Sequence, residues 1–245
     1  MSSSNSPTVI RHRASDHAIL DIHVLHFNEP EADLERCLDS VYDIDGANIT
    51  VVRGGFVGHI GAARRFAFGL GTSKYASFID PDDWVSNPAH VEACIDAMEA
   101  DDALAGVYTD YTAIDESGRR LFVTSKPDWA PAQMLANPFE VLHLKLYRRE
   151  AIKKHLDKLL QCPTYEEIAI NNLACEYGPW QKIHVNGYCK RDGGQSMRLA
   201  SDDLLRKVLK MSAHHVMKWS RQQKQIPSER ELMRKFVPCS NCLGI

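Results

Sequence analysis

One stretch of the sequence, residues 58–85, constrains the fold more than any other. Its first half spaces apolar residues as one face of a helix does, and two glycines end the pattern. The helical face is formed by Ala63, Phe66, Ala67 and Leu70. The apolar run at residues 75–79, rich in aromatic and β-branched side chains, then predicts a strand covered on both faces. Three aspartates follow this strand at once: Asp80, Asp82 and Asp83.

The aspartate cluster predicts a metal site. Three carboxylates within four residues repel one another, and a hard divalent cation such as Mg²⁺ or Mn²⁺ would relieve that repulsion. Ligands of open α/β sheets also bind just beyond the carboxyl ends of strands, which is where this cluster stands. The alternative interpretation is a solvated acidic turn that leads into the next helix.

Composition indicates a globular chain without a membrane span. Of 245 residues, 44% are hydrophobic and 25% are charged, and the net charge of −3 gives no general attraction to nucleic acid or anionic lipid. No apolar run approaches the roughly 20 residues that a transmembrane helix needs. Seven irregularly spaced cysteines favour reduced thiols and a cytoplasmic location. The close pair Cys239 and Cys242 is interpreted as two tail thiols.

The order of predicted elements divides the chain into three parts. Residues 1–17 are polar and are expected to be a disordered tail. Residues 18–200 alternate strands with amphipathic helices, which predicts one α/β domain with a mostly parallel central sheet flanked by helices. Residues 201–245 are expected to form a helical, basic extension, since nine Lys or Arg residues stand against four Asp or Glu residues between 201 and 236.

The order of motifs resembles family 2 glycosyltransferases over residues 18–198. The specific part is GAARR at residues 61–65 and KYASFIDPDDW at residues 74–84, which match the family's helix and its strand with an acidic end. Glu166-Glu167 matches the family's acidic pair at a later helix start. The sequence departs from the family after the second strand, where Arg53-Gly54 replaces an acidic pair that commonly helps to hold the nucleotide base.

This resemblance implies a GT-A, Rossmann-like fold and a metal-dependent, inverting transfer of a sugar. The donor would be a nucleotide-diphospho-sugar, with a UDP-sugar expected, and the acceptor would be a hydroxyl. Asp82, with Asp80, would bind Mn²⁺ or Mg²⁺. The residues expected to contact the donor are His26, Asn28, Glu29, Arg53, Arg64, Asp80 and Arg191.

By the same resemblance, Glu167 is the first candidate for the base that deprotonates the acceptor, and Glu166 is the second. A structural alternative stays open, because Thr164 and Glu167 have the spacing of a helix capping box. Arg64 could hold the donor or form a structural ion pair with Asp80 or Asp82. Arg191 could bind the diphosphate or be an ordinary surface charge.

Two other functions remain open on the sequence alone. Gly55, Gly58 and Gly61 lie between a strand and a helix, and Asp80 follows at the distance of a ribose-binding acid, which loosely suits a nicotinamide enzyme. A catalytically degenerate domain that binds nucleic acid or a partner is the other. In an active transferase, the basic extension could instead present a polyanionic acceptor, including DNA with a modified base.

Overall fold

The computed structural model describes residues 6–15, 17–192 and 201–222, and one nine-stranded sheet runs through these residues. The strands are β1 Thr8–Arg13, β2 Leu20–His26, β3 Ala47–Arg53, β4 Tyr75–Ile79, β5 Trp84–Val85, β6 Gly106–Ile114, β7 Arg120–Val123, β8 Lys145–Arg148 and β9 Trp180–Arg191. Their order is β1-β3-β2-β4-β8-β6-β9-β5, and β7 pairs with β6.

Helices cover both faces of this sheet. They are α1 Glu31–Tyr42, α2 Ile60–Phe68, α3 Pro88–Ala100, α4 Pro131–Ala136, α5 Arg149–Lys153, α6 Glu166–Ala174 and α7 Asp202–Gln222, with a 3₁₀ helix at Leu156–Gln161. Helix α2 ends at Phe68, with Gly69 as its C-cap, as the glycines predict. In the described residues, no helix combines the length and apolarity that crossing a bilayer requires.

The α/β fold class is confirmed, and the sheet is mixed. Strands β3, β2 and β4 pair in parallel, and so do β6 and β9. The alternation of strands and helices predicts a mostly parallel sheet, but β8 runs antiparallel to both of its neighbours, β4 and β6. The parallel half places the ends of β2, β3 and β4 along one edge, which is where the acidic cluster lies.

Two apolar cores explain why β2 and β4 are buried on both faces. Leu20, Ile22 and Val24 pack on one face against α1 and α3. Ala76 and Phe78 of β4 pack on the opposite face in the core that contains α2, α6 and α7. Because side chains alternate along a strand, a strand between two cores is apolar at most of its positions. The short, continuous apolar runs of the sequence therefore mark the centre of the sheet.

The N-terminal residues correct one prediction. Residues 1–17 are expected to be disordered, but β1 pairs antiparallel with β3 and forms an edge of the sheet. The Arg13 guanidinium donates to the Ile44 carbonyl oxygen at 2.7 Å, and the Ser15 amide donates to Asn48 Oδ1 at 2.9 Å. Alternating side chains in a mostly exposed edge strand give a weak sequence signal, which is why the pattern reads as a polar tail.

Helices also form in the segment after β7 and in the C-terminal extension. Helix α4 lies in the proline-containing segment after β7, and Pro131 stands in its first turn, where proline costs no hydrogen bond. Helix α7 confirms the predicted helix for the described part of the extension. It packs on α6, where Asn172 Nδ2 donates to Ser212 Oγ at 3.0 Å, and its Val208 and Val216 are buried. The pair Cys239 and Cys242 lies outside the described residues.

A buried polar cluster sits beneath the sheet at Asp21 and His23 of β2. Asp21 accepts from the Ser73 amide at 2.8 Å and from Arg149 Nη2 at 2.5 Å. His23 is 1% exposed, and neither of its ring nitrogens has a hydrogen-bond partner among the described residues. Burial lowers the pKa of His23 to about 4, Asp21 acts in the opposite direction, and Arg149 lowers it further.

Replacing His23 with Phe should make the protein less sensitive to acid. Between the usual pKa of 6.5 and the folded value of about 4, the unfolded chain binds a proton that the folded chain does not. Stability is therefore lost as the pH falls through that window. Between pH 8 and pH 4, we expect the free energy of unfolding to fall by roughly 1–3 kcal/mol less in His23→Phe than in the parent chain. Urea unfolding at a series of pH values measures this, and parallel curves would contradict it.

Candidate active site

A cleft of about 480 Å³ opens at the carboxyl ends of β2 and β4 and is closed on its other side by the start of α6. Eight of the ten residues predicted for the site line it: Asn28, Glu29, Arg64, Asp80, Asp82, Glu166, Glu167 and Arg191. The two that do not line it are His26 and Arg53. Segments more than a hundred residues apart in sequence therefore meet in one cavity, as a binding site requires.

His26 and Arg53 have structural contacts beside the cleft. His26 is buried, and its Nε2 lies 2.9 Å from the carbonyl oxygen of Glu29, so it shapes the first loop. The Glu29 carboxylate accepts from the Phe27 amide at 2.8 Å. Arg53 makes two hydrogen bonds to the carboxylate of Glu31, at 2.7 and 2.8 Å. These contacts fix the loop whose residues Asn28 and Glu29 reach the cleft.

The acidic turn after β4 places its carboxylates in different surroundings. Asp83 is 3% exposed and accepts from the Arg191 amide at 2.7 Å, so it ties the turn to β9. The Asp80 side chain faces the cleft, and burial by the cleft walls raises its pKa to about 6, although Arg64 acts to lower it. Burial also raises the pKa of Asp82. All three aspartates line the cleft, but Asp83 is held by the Arg191 amide, so Asp80 and Asp82 are the better candidates for binding a ligand.

A single buried arginine joins the acidic turn to α6. Arg64 of α2 donates from Nε to Glu166 Oε1 at 2.7 Å, and from Nη2 to Glu167 Oε1 at 3.0 Å and to Asp80 Oδ1 at 3.4 Å. Its guanidinium also lies 4.9 Å from the centre of the Phe78 ring. Burial opposes its charge, but the three carboxylates raise its pKa, so Arg64 stays charged. Both roles expected for Arg64 are compatible with this geometry, since a structural ion pair forms inside the cleft itself.

The two glutamates at the start of α6 have pKa values shifted in opposite directions. Burial raises the pKa of Glu166, whose side chain is only 5% exposed. Burial also acts to raise the pKa of Glu167, but Lys145 and Arg64 outweigh it, so the net pKa is low. Lys145 Nζ lies 3.0 Å from Glu167 Oε1. Glu167 is therefore ionised at neutral pH and, at 19% side-chain exposure, is the more accessible of the two.

The capping box that the sequence allows is not formed. The N-cap of α6 is Tyr165, and no side-chain hydrogen bond caps the helix. Tyr165 has φ of 58°, a left-handed conformation that no other described non-glycine residue adopts. Such strain is kept where the surrounding structure requires it and is common at functional sites. The turn at Tyr165 directs Glu167 to Arg64 and Lys145 rather than back to Thr164.

Arg191 is engaged by the protein rather than unpaired. Its Nη2 donates to Asp33 Oδ1 at 2.6 Å, and its backbone amide bonds to Asp83. Its side chain also lines the cleft. Arg191 therefore links α1, the acidic turn and β9 at the rim of the cavity.

The glycine-rich link before α2 does not have the geometry of a dinucleotide-binding turn. The amides of Ile60 and Gly61 donate to the carbonyl oxygens of Pro163 and Cys162, at 3.0 and 3.1 Å. His59 Nδ1 accepts from the Ala62 amide at 3.1 Å. The first amides of the helix are thus already used, whereas a Rossmann turn offers them to a pyrophosphate. The nicotinamide interpretation loses its structural basis.

Sequence reasoning missed Lys145 and gave His143 no place in the site. His143 lines the cleft and stacks on Tyr188, with ring centres 5.2 Å apart, and Lys145 is buried behind Glu167. A signal exists in the alternating run VLHLKLY at residues 141–147, where both polar residues fall on one face. Polar side chains on the buried face of a strand indicate a polar partner across it.

Comparisons with known proteins agree with this geometry. Residues 44–156 match the family described as glycosyl transferase family 2. The resemblance predicted from the sequence is therefore confirmed, and the match supports glycosyltransferase activity. No curated protein matches the chain in sequence.

The solved structures of S. aureus TarS share the GT-A fold of this chain. The complex of TarS residues 1–349 with UDP-GlcNAc has a TM-score of 0.60 at 13% identity, covering 84% of this chain and 72% of that one. The complex with UDP has a TM-score of 0.57 at 13% identity, with coverages of 80% and 64%. This chain spans 43% of a longer TarS structure, which has a TM-score of 0.54 at 13% identity and matches 84% of this chain.

As the pH is lowered, the Lys145→Met variant should lose activity at a higher pH than the parent chain does. The Lys145 ammonium helps to hold the pKa of Glu167 low, so its removal raises that pKa. We expect the acid limb of the pH profile of sugar transfer to move to higher pH. Initial rates measured across the pH range test this.

Lys182→Met is the matched control. Lys182 is equally buried and pairs with Asp110 at 3.0 Å, but it does not line the cleft. It should reproduce the loss of a buried ion pair without moving the acid limb. Equal shifts in the two variants would show that the effect is general destabilisation.

Proposed function

We propose that this chain, whose residues 44–156 match glycosyl transferase family 2, is a metal-dependent, inverting glycosyltransferase. It transfers a sugar from a nucleotide-diphosphate donor to a hydroxyl of an acceptor. The observation that carries the proposal is the meeting of Asp80 and Asp82 with Glu167 in one cleft. A cation-binding pair and a carboxylate base on one cavity are the parts that such a transfer needs.

The residues at the acidic turn fit a divalent cation. Asp80 and Asp82 offer carboxylate oxygens, which Mg²⁺ and Mn²⁺ prefer. Within the described residues, Arg64 pairs with Asp80 but Asp82 has no ion-pair partner, and burial raises the pKa of both carboxyls. Such a cation, when bound, would neutralise the negative charge that develops on the departing diphosphate.

Glu167 fits the role of the base that accepts the proton of the acceptor hydroxyl. Its carboxylate is ionised at neutral pH, and its side chain reaches the cleft, whereas Glu166 is more deeply buried against Arg64. A low pKa makes Glu167 a weak base. That suffices because the hydroxyl becomes acidic only as the sugar bond forms, and direct displacement by the hydroxyl inverts the anomeric carbon.

A uridine diphosphate sugar is the donor we propose. The TarS structures with the same fold contain UDP-GlcNAc and UDP, which supports this nucleotide. In this chain, Asn28 and Glu29 of the first loop would contact the nucleoside, because they line the cleft beside the acidic turn. Arg191 would approach the diphosphate from the rim, where guanidinium groups bind phosphate well.

The acceptor would be a polyanion, such as a nucleic acid that carries a modified base. Helix α7 supports this choice, because it exposes five basic side chains to solvent: Arg206, Lys207, Lys210, Lys218 and Arg221. Two aspartates in its first turn offset part of that charge. Binding that weakens steeply with added salt would be the signature of such an acceptor.

Replacing Asp82 with Asn should abolish metal-dependent turnover of the donor. We expect Mn²⁺-stimulated hydrolysis of a UDP-sugar to fall about 100-fold or more, because the cation loses a charged ligand. Hydrolysis is measured by release of UDP over a Mn²⁺ titration. Asp115 of the β6–β7 turn, which pairs with Arg119 outside the cleft, provides the control, since Asp115→Asn leaves the cleft untouched. Donor binding without any turnover in the parent chain would favour the degenerate binding module instead.

Replacing Glu167 with Gln should remove transfer while keeping donor binding. Loss of a general base costs about 10²–10⁴-fold in rate, and the amide keeps the shape of the side chain. Transfer to an acceptor is followed by mass spectrometry, and donor binding by the thermal shift that UDP with Mn²⁺ produces. Glu166→Gln is the companion variant. If it loses transfer while Glu167→Gln retains it, the assignment of the base is reversed.

A further inference from the structure

Three potential metal ligands converge outside the cleft. They come from three segments: His155 before the 3₁₀ helix, Glu176 after α6, and His215 within α7. His155 Nε2 and His215 Nδ1 each lie 3.1 Å from Glu176 Oε2. The three donor atoms all lie within 4.8 Å of one another. None of these residues lines the cleft.

The spacing of these atoms is that of ligands around one small cation. In a tetrahedral zinc site with bonds of about 2.0–2.1 Å, two neighbouring donor atoms stand roughly 3.3 Å apart. The two nitrogen–oxygen distances of 3.1 Å are close to that value. The two imidazole rings lie at 70° to each other with centres 5.0 Å apart, so both rings can reach one point without stacking.

The ring nitrogens that face Glu176 are buried and have no other partner. His155 and His215 are each 6% exposed. His155 Nε2 and His215 Nδ1 make no hydrogen bond of acceptable geometry with any described residue, despite their closeness to the carboxylate. Buried polar atoms without partners are rare in native proteins, and an absent ion is one of the usual reasons.

The ligand chemistry selects the class of metal. Two imidazoles and one carboxylate suit Zn²⁺ and similar transition metals, whereas Mg²⁺ and Ca²⁺ prefer oxygen ligands alone. Three protein ligands leave a fourth position for water. The acidic turn in the cleft, which offers only oxygen atoms, would therefore bind a different metal from this cluster.

The positive charges of neighbouring lysines disfavour binding of a cation at this cluster. Their positions show which ammonium groups must move away when a metal binds. Lys154 and Lys218 approach Glu176 Oε1 at 3.3 and 3.8 Å, and both side chains are more than half exposed. Lys158 Nζ lies 3.2 Å from His215 Nε2. Since His215 would bind metal through Nδ1, its Nε2 would carry a proton, and the Lys158 ammonium would have to withdraw into solvent.

We propose that His155, Glu176 and His215 form a zinc-class metal site that fastens α7 to the α/β domain. Metal at this point joins the segments on either side of α6 to the C-terminal helix. Because the site lies outside the cleft, metal binding here and donor turnover in the cleft can fail independently of each other.

Zinc titration of the metal-free protein tests the site. In the full chain carrying Asp82→Asn, which weakens the cleft site, calorimetry should show one equivalent of bound Zn²⁺. His155→Gln and His215→Gln should each weaken that binding about 100-fold or more, since even outer contacts of a metal site contribute 10–100-fold. Zinc at 100 times its Kd should raise Tm by roughly 5–10 °C in the parent and not in these variants.

The adjacent histidine provides a matched control. His214→Gln changes an exposed residue on the same helix and should retain full zinc affinity. Lys158→Gln removes the ammonium that opposes the metal and should strengthen binding. Circular dichroism of each variant separates lost ligation from lost folding.

The C-terminal cysteines are the competing ligands. If the double variant Cys239→Ser, Cys242→Ser loses zinc while His155→Gln and His215→Gln retain it, the proposal is overturned. Cobalt substitution gives a second measurement that needs no histidine variant. A spectrum of tetrahedral cobalt without thiolate charge-transfer bands supports ligation by nitrogen and oxygen, and strong thiolate bands refute it.

Discussion

The structure depends on one buried guanidinium. Arg64 is 3% exposed, and a charge so placed is costly unless it is paired and hydrogen-bonded. Its partners are Asp80, from the end of β4, and the glutamate pair that begins α6. Because all three carboxylates accept hydrogen bonds from this one side chain, α2, β4 and α6 are held in one arrangement. The floor of the cleft is therefore fixed by an electrostatic requirement as much as by apolar packing.

The same cluster shifts the pKa values of its two glutamates in opposite directions. Arg64 contacts both, but Lys145 reaches only Glu167, and this second cation keeps that carboxylate ionised while burial keeps the pKa of Glu166 raised. Neighbouring groups that push two carboxyl pKa values apart are the usual means of separating their roles. Strand β8 supplies Lys145, so a short strand that pairs antiparallel with both of its neighbours has a direct effect on the proposed base.

The sequence predicts individual strands, helices and turns, but it does not predict contacts between residues that are distant in sequence. The strand at residues 75–79 and the acidic turn behind it follow from a continuous pattern, and the family resemblance adds Glu166 and Glu167. Nothing near Lys145 in sequence shows that it meets Glu167, because that contact depends on the pairing of β8 with β4 and β6. The edge strand β1 gives no clear sequence signal for a related reason, since its pairing with β3 stabilises residues whose own pattern is polar.

Helix α6 connects the cleft to the C-terminal helix. Its first residues carry the candidate base, and its buried asparagines set its rotation. Asn171 Nδ2 donates to the Val141 carbonyl oxygen at 2.6 Å and Asn171 Oδ1 accepts from the Tyr147 hydroxyl at 3.1 Å, while Asn172 bonds to Ser212 of α7. A nine-residue helix is too short to be stable alone, so these contacts determine where its N-terminus points. The packing of α7 on α6 therefore helps to determine where Glu167 points.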